Sequence, residues 1–161
     1  MVLDYGGQKT QQNFVVALDP RLRATQQDLA ARLALDLQIH ADLDALVKDI
    51  NQALAARDKL QKAVSVHSAT GAQAAALAAL NRDIDSVAQM AMKSSEGSLL
   101  FETKLRDHLA YLMADIDLSY ARPTAAHYAV FHDLDQQAKE SEKKLEADVA
   151  EAGKVAAGAV Q

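Results

Sequence analysis

Apolar residues recur with a helical period over most of the chain, beginning at Thr25. Between Thr25 and about Val66 they return every three or four positions, and neither Gly nor Pro interrupts them. This pattern predicts one amphipathic helix about 60 Å long, at the usual rise of about 1.5 Å per residue. Thr25 suits the N-cap of this helix, and Asp28 favours its positive end.

Three further stretches with the same period follow, and short segments rich in Gly, Ser or Pro separate them. The helices predicted for these stretches cover residues 72–92, 98–119 and 124–152. Four amphipathic helices joined by short loops are typical of an antiparallel four-helix bundle. The predicted fold class is therefore mainly α, with one long first helix. Residues 23–152 form the predicted bundle, and residues 153–161 form a flexible tail.

Residues 1–22 carry an extended pattern instead. Apolar residues cluster in Val2–Tyr5 and Phe14–Leu18, and the Gly6-Gly7 step between these runs is a hairpin signal. The second run is apolar on both faces, which is typical of a strand covered on both sides. A lone hairpin is marginal in water. We therefore expect a short β-hairpin or strand that packs on the helices or forms the edge of a β-domain outside this chain.

Composition supports helix packing and disfavours several classes of function. Aromatic residues make up 4% of the chain and Trp is absent, so alanine and leucine supply most of a core that suits closely packed helices. The net charge of −5 disfavours general nucleic-acid binding, which needs a basic face. Because cysteine is absent, disulfides, thiolate zinc sites and cysteine nucleophiles are excluded.

Targeting and membrane segments are not recognisable in the sequence. No apolar run has the length of a membrane span, and the first ten residues lack the basic start and apolar core of a signal peptide. On the residues alone, the protein either stays in the cytoplasm or is cut from a longer precursor.

The sequence holds no recognisable catalytic or metal-binding constellation. Glu-x-x-His, Gly-x-Ser-x-Gly and glycine-rich phosphate loops do not occur in it. His127 and His132 are five positions apart, so on one helix they point about 140° away from each other and cannot share a metal ion. We therefore expect no cofactor, no metal and no enzymatic activity.

Two sets of side chains remain as candidates for a role. Histidines and tyrosines of the third and fourth helices could line a ligand pocket, the alternative being boundary residues that seal the bundle. These pocket candidates are His108, Tyr111, Tyr128 and His132. Arg57 interrupts the apolar row of the first helix, and we expect it to form a structural ion pair with an acid such as Asp83.

The stretch Asn13–Arg21, in which an Asp-Pro-Arg step follows an apolar run, resembles the C-terminal region of bacterial sortilin-type (BNR-repeat) β-propeller proteins. In that family a final strand enters such a step and a long helical segment follows. Further positions that resemble the family are Thr25, Asp28, Leu29, Asn51–Leu54, Arg57, Asp117, Pro123 and Thr124. The residues to which we assign a structural role are Asp19, Pro20, Arg21, Arg57, Pro123 and Thr124.

The resemblance implies an exported parent chain, in the periplasm or outside the cell, and it explains the N-terminal hairpin as the end of a preceding β-domain. Proteins of that family are often labelled glycosyl hydrolases from their propeller repeats. This sequence contains no such repeat, so neither the activity nor its residues carry over.

The leading hypothesis is a non-catalytic helical module for assembly or protein–protein interaction. Its partner would be another protein, a preceding β-domain or a second copy of this chain. The long amphipathic helix, an incompletely filled fourth helix and the lack of a catalytic constellation favour this hypothesis. The alternative is a small-ligand sensor or carrier that binds between helices, and an enzyme has the least support.

Overall fold

A β-hairpin and four helices make up the described parts of the chain, which are residues 1–66, 69–88 and 102–157 of a computed structural model. This confirms the mainly α fold and the long first helix. The elements in chain order are β1 (Val2–Tyr5), β2 (Gln8–Gln11), α1 (Gln26–Val66), α2 (Gly71–Val87), α3 (Leu105–Asp117) and α4 (Ala125–Ala157).

Contacts at the two ends of the bundle give the directions of the helices. Near the beginning of α1, Arg32 contacts Asp117 at the end of α3, with 3.2 Å between Nη2 and Oδ1. At the other end, Gln73 in the first turn of α2 donates to the carbonyl of Val155, near the end of α4 (3.4 Å). Residues of α1 between 52 and 59 line one cavity together with residues of α4 between 149 and 156. α1 and α4 therefore run parallel, and α2 and α3 both run in the opposite direction.

The lengths of the helices fit this arrangement. α2 has 17 residues and α3 has 13, so each is less than half as long as α1, which has 41. α2 and α3 cover successive parts of the surface that α1 and α4 present. We call the end of the bundle where α1 and α4 begin the start end.

The core follows a seven-residue spacing along the two long helices. Four fully buried residues of α1 are spaced in this way, and three of α4 repeat it. They are Ile39, Leu46, Ala53 and Leu60 in α1, and Ala138, Leu145 and Ala152 in α4. Such spacing is typical of the seam of a coiled coil, so α1 and α4 meet along a parallel seam that α2 and α3 cover from the side.

The first residues of α1 and α4 are capped in the same way. Asp28 donates its backbone N–H to Thr25 Oγ1 (3.1 Å), and Thr25 donates its own N–H to Asp28 Oδ2 (3.0 Å). His127 donates its N–H to Thr124 Oγ1 (3.4 Å), and Thr124 donates to His127 Nδ1 (3.2 Å). These reciprocal bonds satisfy backbone groups that a helix start leaves open. The predicted cap at Thr25 and the start of the last helix after Pro123 are confirmed.

Some helix ends differ from the prediction. α3 begins at Leu105 rather than at residue 98, since residues 102–104 are not helical; the predicted cap Ser98 and residues 89–92 lie outside the described residues. α4 continues to Ala157, through the first part of the predicted tail. It does so because Val155 and Ala156 pack against the core, so the apolar face extends past Ala152.

The second strand lies earlier in the chain than predicted. Gly6 and Gly7 both have left-handed φ angles, 60° and 81°, which is typical of a two-residue hairpin turn. Such a turn places Gln8 directly opposite Tyr5, so β2 is the polar stretch that follows the glycines. The run Phe14–Leu18 lies beyond the paired residues and is not a strand. The prediction that it is covered on both faces was wrong, because Val15 remains 90% exposed.

None of the described helices combines the length and the apolar character that crossing a bilayer requires.

Candidate functional site

The four pocket candidates lie on exposed faces of α3 and α4. Tyr111 and Tyr128 are 55% and 42% exposed. The rings of His108 and His132 contact residues only four or five positions away in sequence. None of the four therefore lines a cavity among those described for the residues of this structure.

The Asp19-Pro20-Arg21 step forms a turn. Leu22 donates its N–H to the carbonyl of Asp19 (2.9 Å), which closes a turn with Pro20 in its second position. The Asp19 carboxylate accepts the backbone N–H of Arg21 (2.9 Å) and its guanidinium (2.6 Å to Nη2). Because Arg21 donates these bonds, the pKa of the Asp19 carboxyl is lowered. The turn leads the chain into α1.

Arg57 does not pair with Asp83, so the partner suggested from the sequence was wrong. Its guanidinium contacts the next residue, Asp58, at 3.0 Å from Nη2 to Oδ1. Asp83 instead pairs with its own neighbour Arg82, at 2.8 Å from Oδ1 to Nε. Both ion pairs are local, so neither joins α1 to α2.

Arg32 joins α1 to the loop between α3 and α4. Nη1 donates to the carbonyl of Ser119 (2.9 Å), and Nη2 lies 3.2 Å from Asp117 Oδ1. The guanidinium also lies over the ring of Tyr120, 5.7 Å from its centroid. Sequence reasoning missed this contact, because nothing in the local pattern around Arg32 points to partners more than 80 positions away.

We expect Arg32→Lys to lower the free energy of unfolding by about 1 kcal/mol, because an ammonium group cannot make the two-pronged contact and stack on Tyr120. Urea unfolding followed by circular dichroism measures this change. Arg82→Lys is the matched control, since Arg82 is exposed and donates its hydrogen bonds to its neighbour Asp83, and it should cost less than about 0.5 kcal/mol. Equal losses in both variants would contradict the proposed role of Arg32.

A cleft of about 630 Å³ opens at the start end of the bundle. One wall is the segment before α1, with Leu22, Arg23 and Ala24, and Asp28 of α1 lies beside it. The other wall is the loop between α3 and α4, residues 118–122. A smaller cavity of about 100 Å³ lies beside this cleft and shares Ser119, Ala121 and Arg122 with it.

The acids around the start end are already engaged by other groups. Asp28 Oδ2 accepts both the N–H and the hydroxyl of Thr25, at 3.0 and 2.6 Å, and these bonds lower the pKa of its carboxyl. Asp115 Oδ2 lies 3.1 Å from His127 Nε2. Asp117 pairs with Arg32.

A third cavity, of about 350 Å³, lies between α1 and α4 towards their C-terminal ends. Most of its wall consists of alanines and Val149, and the polar residues Gln52 and Lys59 of α1 also line it. Both polar residues among its described lining come from the same helix.

The hairpin leaves two open backbone edges. Met1 and Gln12 exchange hydrogen bonds, at 2.9 and 3.1 Å, so they form a hydrogen-bonded pair. Because such pairs alternate along an antiparallel ladder, Leu3 is bonded to β2, whereas Val2 and Asp4 direct their N–H and C=O groups away from it. The outer edge of β1 is therefore unpaired within the described chain.

Large apolar side chains accompany this open edge. Besides Met1, which is 72% exposed, six more within the first 16 residues are between 62% and 90% exposed. They are Val2, Leu3, Tyr5, Phe14, Val15 and Val16. We call residues 1–18 the N-terminal segment.

Carboxyl groups face one another across the seam of α1 and α4. Burial raises the pKa of Asp42, and the nearby charge of Asp135 raises it further, while Lys139 opposes this effect. Burial also raises the pKa of Glu142, and the charges of Asp49 and Asp42 add to it. The Oδ2 atom of Asp42 is buried without a hydrogen-bond partner.

A second carboxyl pair lies between α2 and α4. Burial and a hydrogen bond to Asp83 raise the pKa of Asp148, whereas hydrogen bonding from Arg82 lowers that of Asp83. These carboxyls do not form a metal site, since no group of three or more metal-ligating side chains occurs among the residues that the structure describes.

No family model matches this chain, and no match to it was found among the curated proteins or the solved structures.

Proposed function

We propose that this chain is a non-catalytic assembly module that associates through its N-terminal segment. The observation that carries the proposal is the contrast between the two parts of the chain. The helices bury a shared apolar core, although some of their large apolar residues, such as Leu33 and Leu37, stay exposed. In the N-terminal segment every residue up to Ala17 is exposed, and seven of these are large apolar residues beside an open strand edge. Apolar groups clustered at the surface are typical of binding surfaces.

The occupant that best fits this edge is β1 of a second copy of the chain. An antiparallel pairing about Leu3 places Val2 opposite Asp4 of the second copy and Leu3 opposite Leu3. The outward N–H and C=O groups of Val2 and Asp4 then bond to their counterparts, which is the pattern that an antiparallel ladder requires. The two Asp4 carboxylates do not face each other in this register, and each keeps its own Lys9, at 3.7 Å. The contact is therefore self-complementary, as a two-fold interface must be.

The rest of the N-terminal segment supplies the apolar area. Leu3 and Tyr5 lie on one face of β1, because side chains alternate along a strand. A strand edge of four residues buries less than the roughly 1,200 Å² that stable interfaces need. Phe14, Val15 and Val16 follow the hairpin closely in sequence and are also exposed. If the second copy covers these three side chains as well as Leu3 and Tyr5, the buried area increases towards that size.

A β-sheet of a neighbouring domain could take the same edge. The resemblance to sortilin-type propeller proteins offers such a domain, and with it an exported protein of the periplasm or the extracellular space. In both cases the strand edge is the docking element.

Sedimentation equilibrium of the full chain, from micromolar to millimolar concentration, tests the proposal. We expect a dimer, at twice the chain mass of 17.3 kDa. Asp4→Pro removes an outward N–H without touching a hydrogen bond inside the hairpin, so it should shift the chain to monomer. Asp4→Asn is the matched control, which also loses the Lys9 ion pair but keeps the N–H, and it should remain dimeric.

A chain that stays monomeric at every concentration would overturn the second copy as occupant. Dimerisation that Asp4→Pro leaves unchanged would overturn the β1 edge as the docking element.

A further inference from the structure

We propose that the cleft at the start end binds a small anion that carries an apolar or aromatic group. The cleft measures about 630 Å³, within the range of about 300–1,000 Å³ typical of small-ligand sites. Two arginines, Arg23 and Arg122, line it from opposite walls. This inference is independent of the proposed assembly through β1, since it uses none of the residues of the N-terminal segment's strand.

The positive charges of the two arginines are available to pair with an anionic ligand. Among the described residues, neither Arg23 nor Arg122 makes a hydrogen bond or an ion pair. Asp28 is the acid that lines the same cleft, and its Oδ2 atom already accepts hydrogen bonds from Thr25. Asp28 interacts with Arg122 only through a longer-range charge attraction. The chain as a whole is acidic, with a net charge of −5, so two arginines without ion-pair partners at one cleft make this region locally positive.

The helix directions add to the positive potential. α1 and α4 are parallel and both begin at this end, so both place the positive ends of their dipoles here. The negative end of α3 lies at the same place, but Arg32 covers it through the carbonyl of Ser119 and the carboxylate of Asp117. The remaining field favours an anion.

The apolar side chains that line the cleft indicate the apolar or aromatic group of the ligand. Leu118 is 85% exposed and Tyr120 is 56% exposed, and both line the cleft together with Leu22. Arg32 stacks on Tyr120 and helps to hold its ring in position. A carboxylate or phosphate attached to a planar or aliphatic group would therefore contact both the guanidinium groups and these side chains.

Isothermal titration calorimetry of the full chain with phenyl phosphate tests the inference. Arg122→Gln and Arg23→Gln should each weaken binding about tenfold or more, because each removes a charge-assisted hydrogen bond. Lys154→Gln is the matched control. It removes one positive charge near the far end of α4, about 40 Å from the cleft at 1.5 Å per residue, and should leave the affinity unchanged.

Two further arms separate the parts of the ligand. Inorganic phosphate should bind more weakly than phenyl phosphate, and Leu118→Ser should weaken phenyl phosphate but not inorganic phosphate. Absence of binding, or equal weakening by Lys154→Gln and Arg122→Gln, would overturn the site. Equal affinities for the two phosphates would overturn the apolar part of the ligand. Circular dichroism of each variant confirms that a loss of binding is not a loss of folding.

Discussion

Leu46→Ala is expected to lower the free energy of unfolding by about 3 kcal/mol, within a range of about 2–5 kcal/mol for buried leucines. Leu46 is fully buried near the middle of α1, on the seam with α4. Truncation removes apolar area from the core and leaves a cavity that two long, closely packed helices cannot close without shifting along their length. Urea unfolding followed by circular dichroism at 222 nm, the usual helix band, measures the change.

Leu37→Ala is the matched control for this prediction. Leu37 is in the same helix and has the same side chain, but it is 60% exposed. Its truncation should change the free energy of unfolding by no more than about 0.5 kcal/mol. Equal losses at the two positions would show that α1 does not bury the face assigned to it.

The second large effect is the dependence of the free energy of unfolding on pH. The raised pKa values of Asp42, Glu142 and Asp148 mean that the folded chain holds these protons more tightly than the unfolded chain does. The free energy of unfolding should therefore rise as the pH falls from neutral through the folded pKa values. The lowered pKa values of Asp28 and Asp83 act in the opposite direction below about their ordinary value of 3.8. Stability should be highest on the acidic side of neutrality, above that value.

Replacing the three raised groups tests the cause of this profile. Asp42→Asn, Glu142→Gln and Asp148→Asn together should raise the free energy of unfolding at neutral pH by about 1–2 kcal/mol, after allowance for screening by solvent. The same variant should lose the rise in stability on mild acidification. Asp133→Asn, an exposed acid of α4, is the control and should leave the pH profile unchanged. Stability that falls steadily from neutral pH in the unchanged chain would contradict the assignment.

The helices could be predicted from the sequence because their signals are local. The unbroken period after Thr25 predicts α1 to its last residue, and the Pro123-Thr124 step correctly marks the start of α4. These signals depend on the spacing of apolar residues and on caps, which involve residues three or four positions apart.

The arrangement of the helices depends on contacts between distant residues, and the sequence pattern does not contain them. Short loops suggest simple antiparallel neighbours, but the parallel course of α1 and α4 follows from contacts such as Arg32–Asp117 and Gln73–Val155. The cleft at the start end was missed for the same reason, because Arg23 and Arg122 come from segments about 100 positions apart. The second strand was predicted at the apolar run Phe14–Leu18 because that run has the stronger strand composition. A Gly-Gly turn instead pairs the residues directly on either side of it, which places Gln8 opposite Tyr5.

Hydrogen exchange at the backbone amides of Val2 and Asp4 tests most directly whether the N-terminal segment is the docking element. These two N–H groups point away from β2, so no described residue of the same chain protects them. If β1 pairs with a second copy, both amides should exchange slowly in concentrated solution and rapidly after dilution, while the core amides near Leu46 stay protected throughout. Exchange at the rate of an open strand at every concentration would contradict the account.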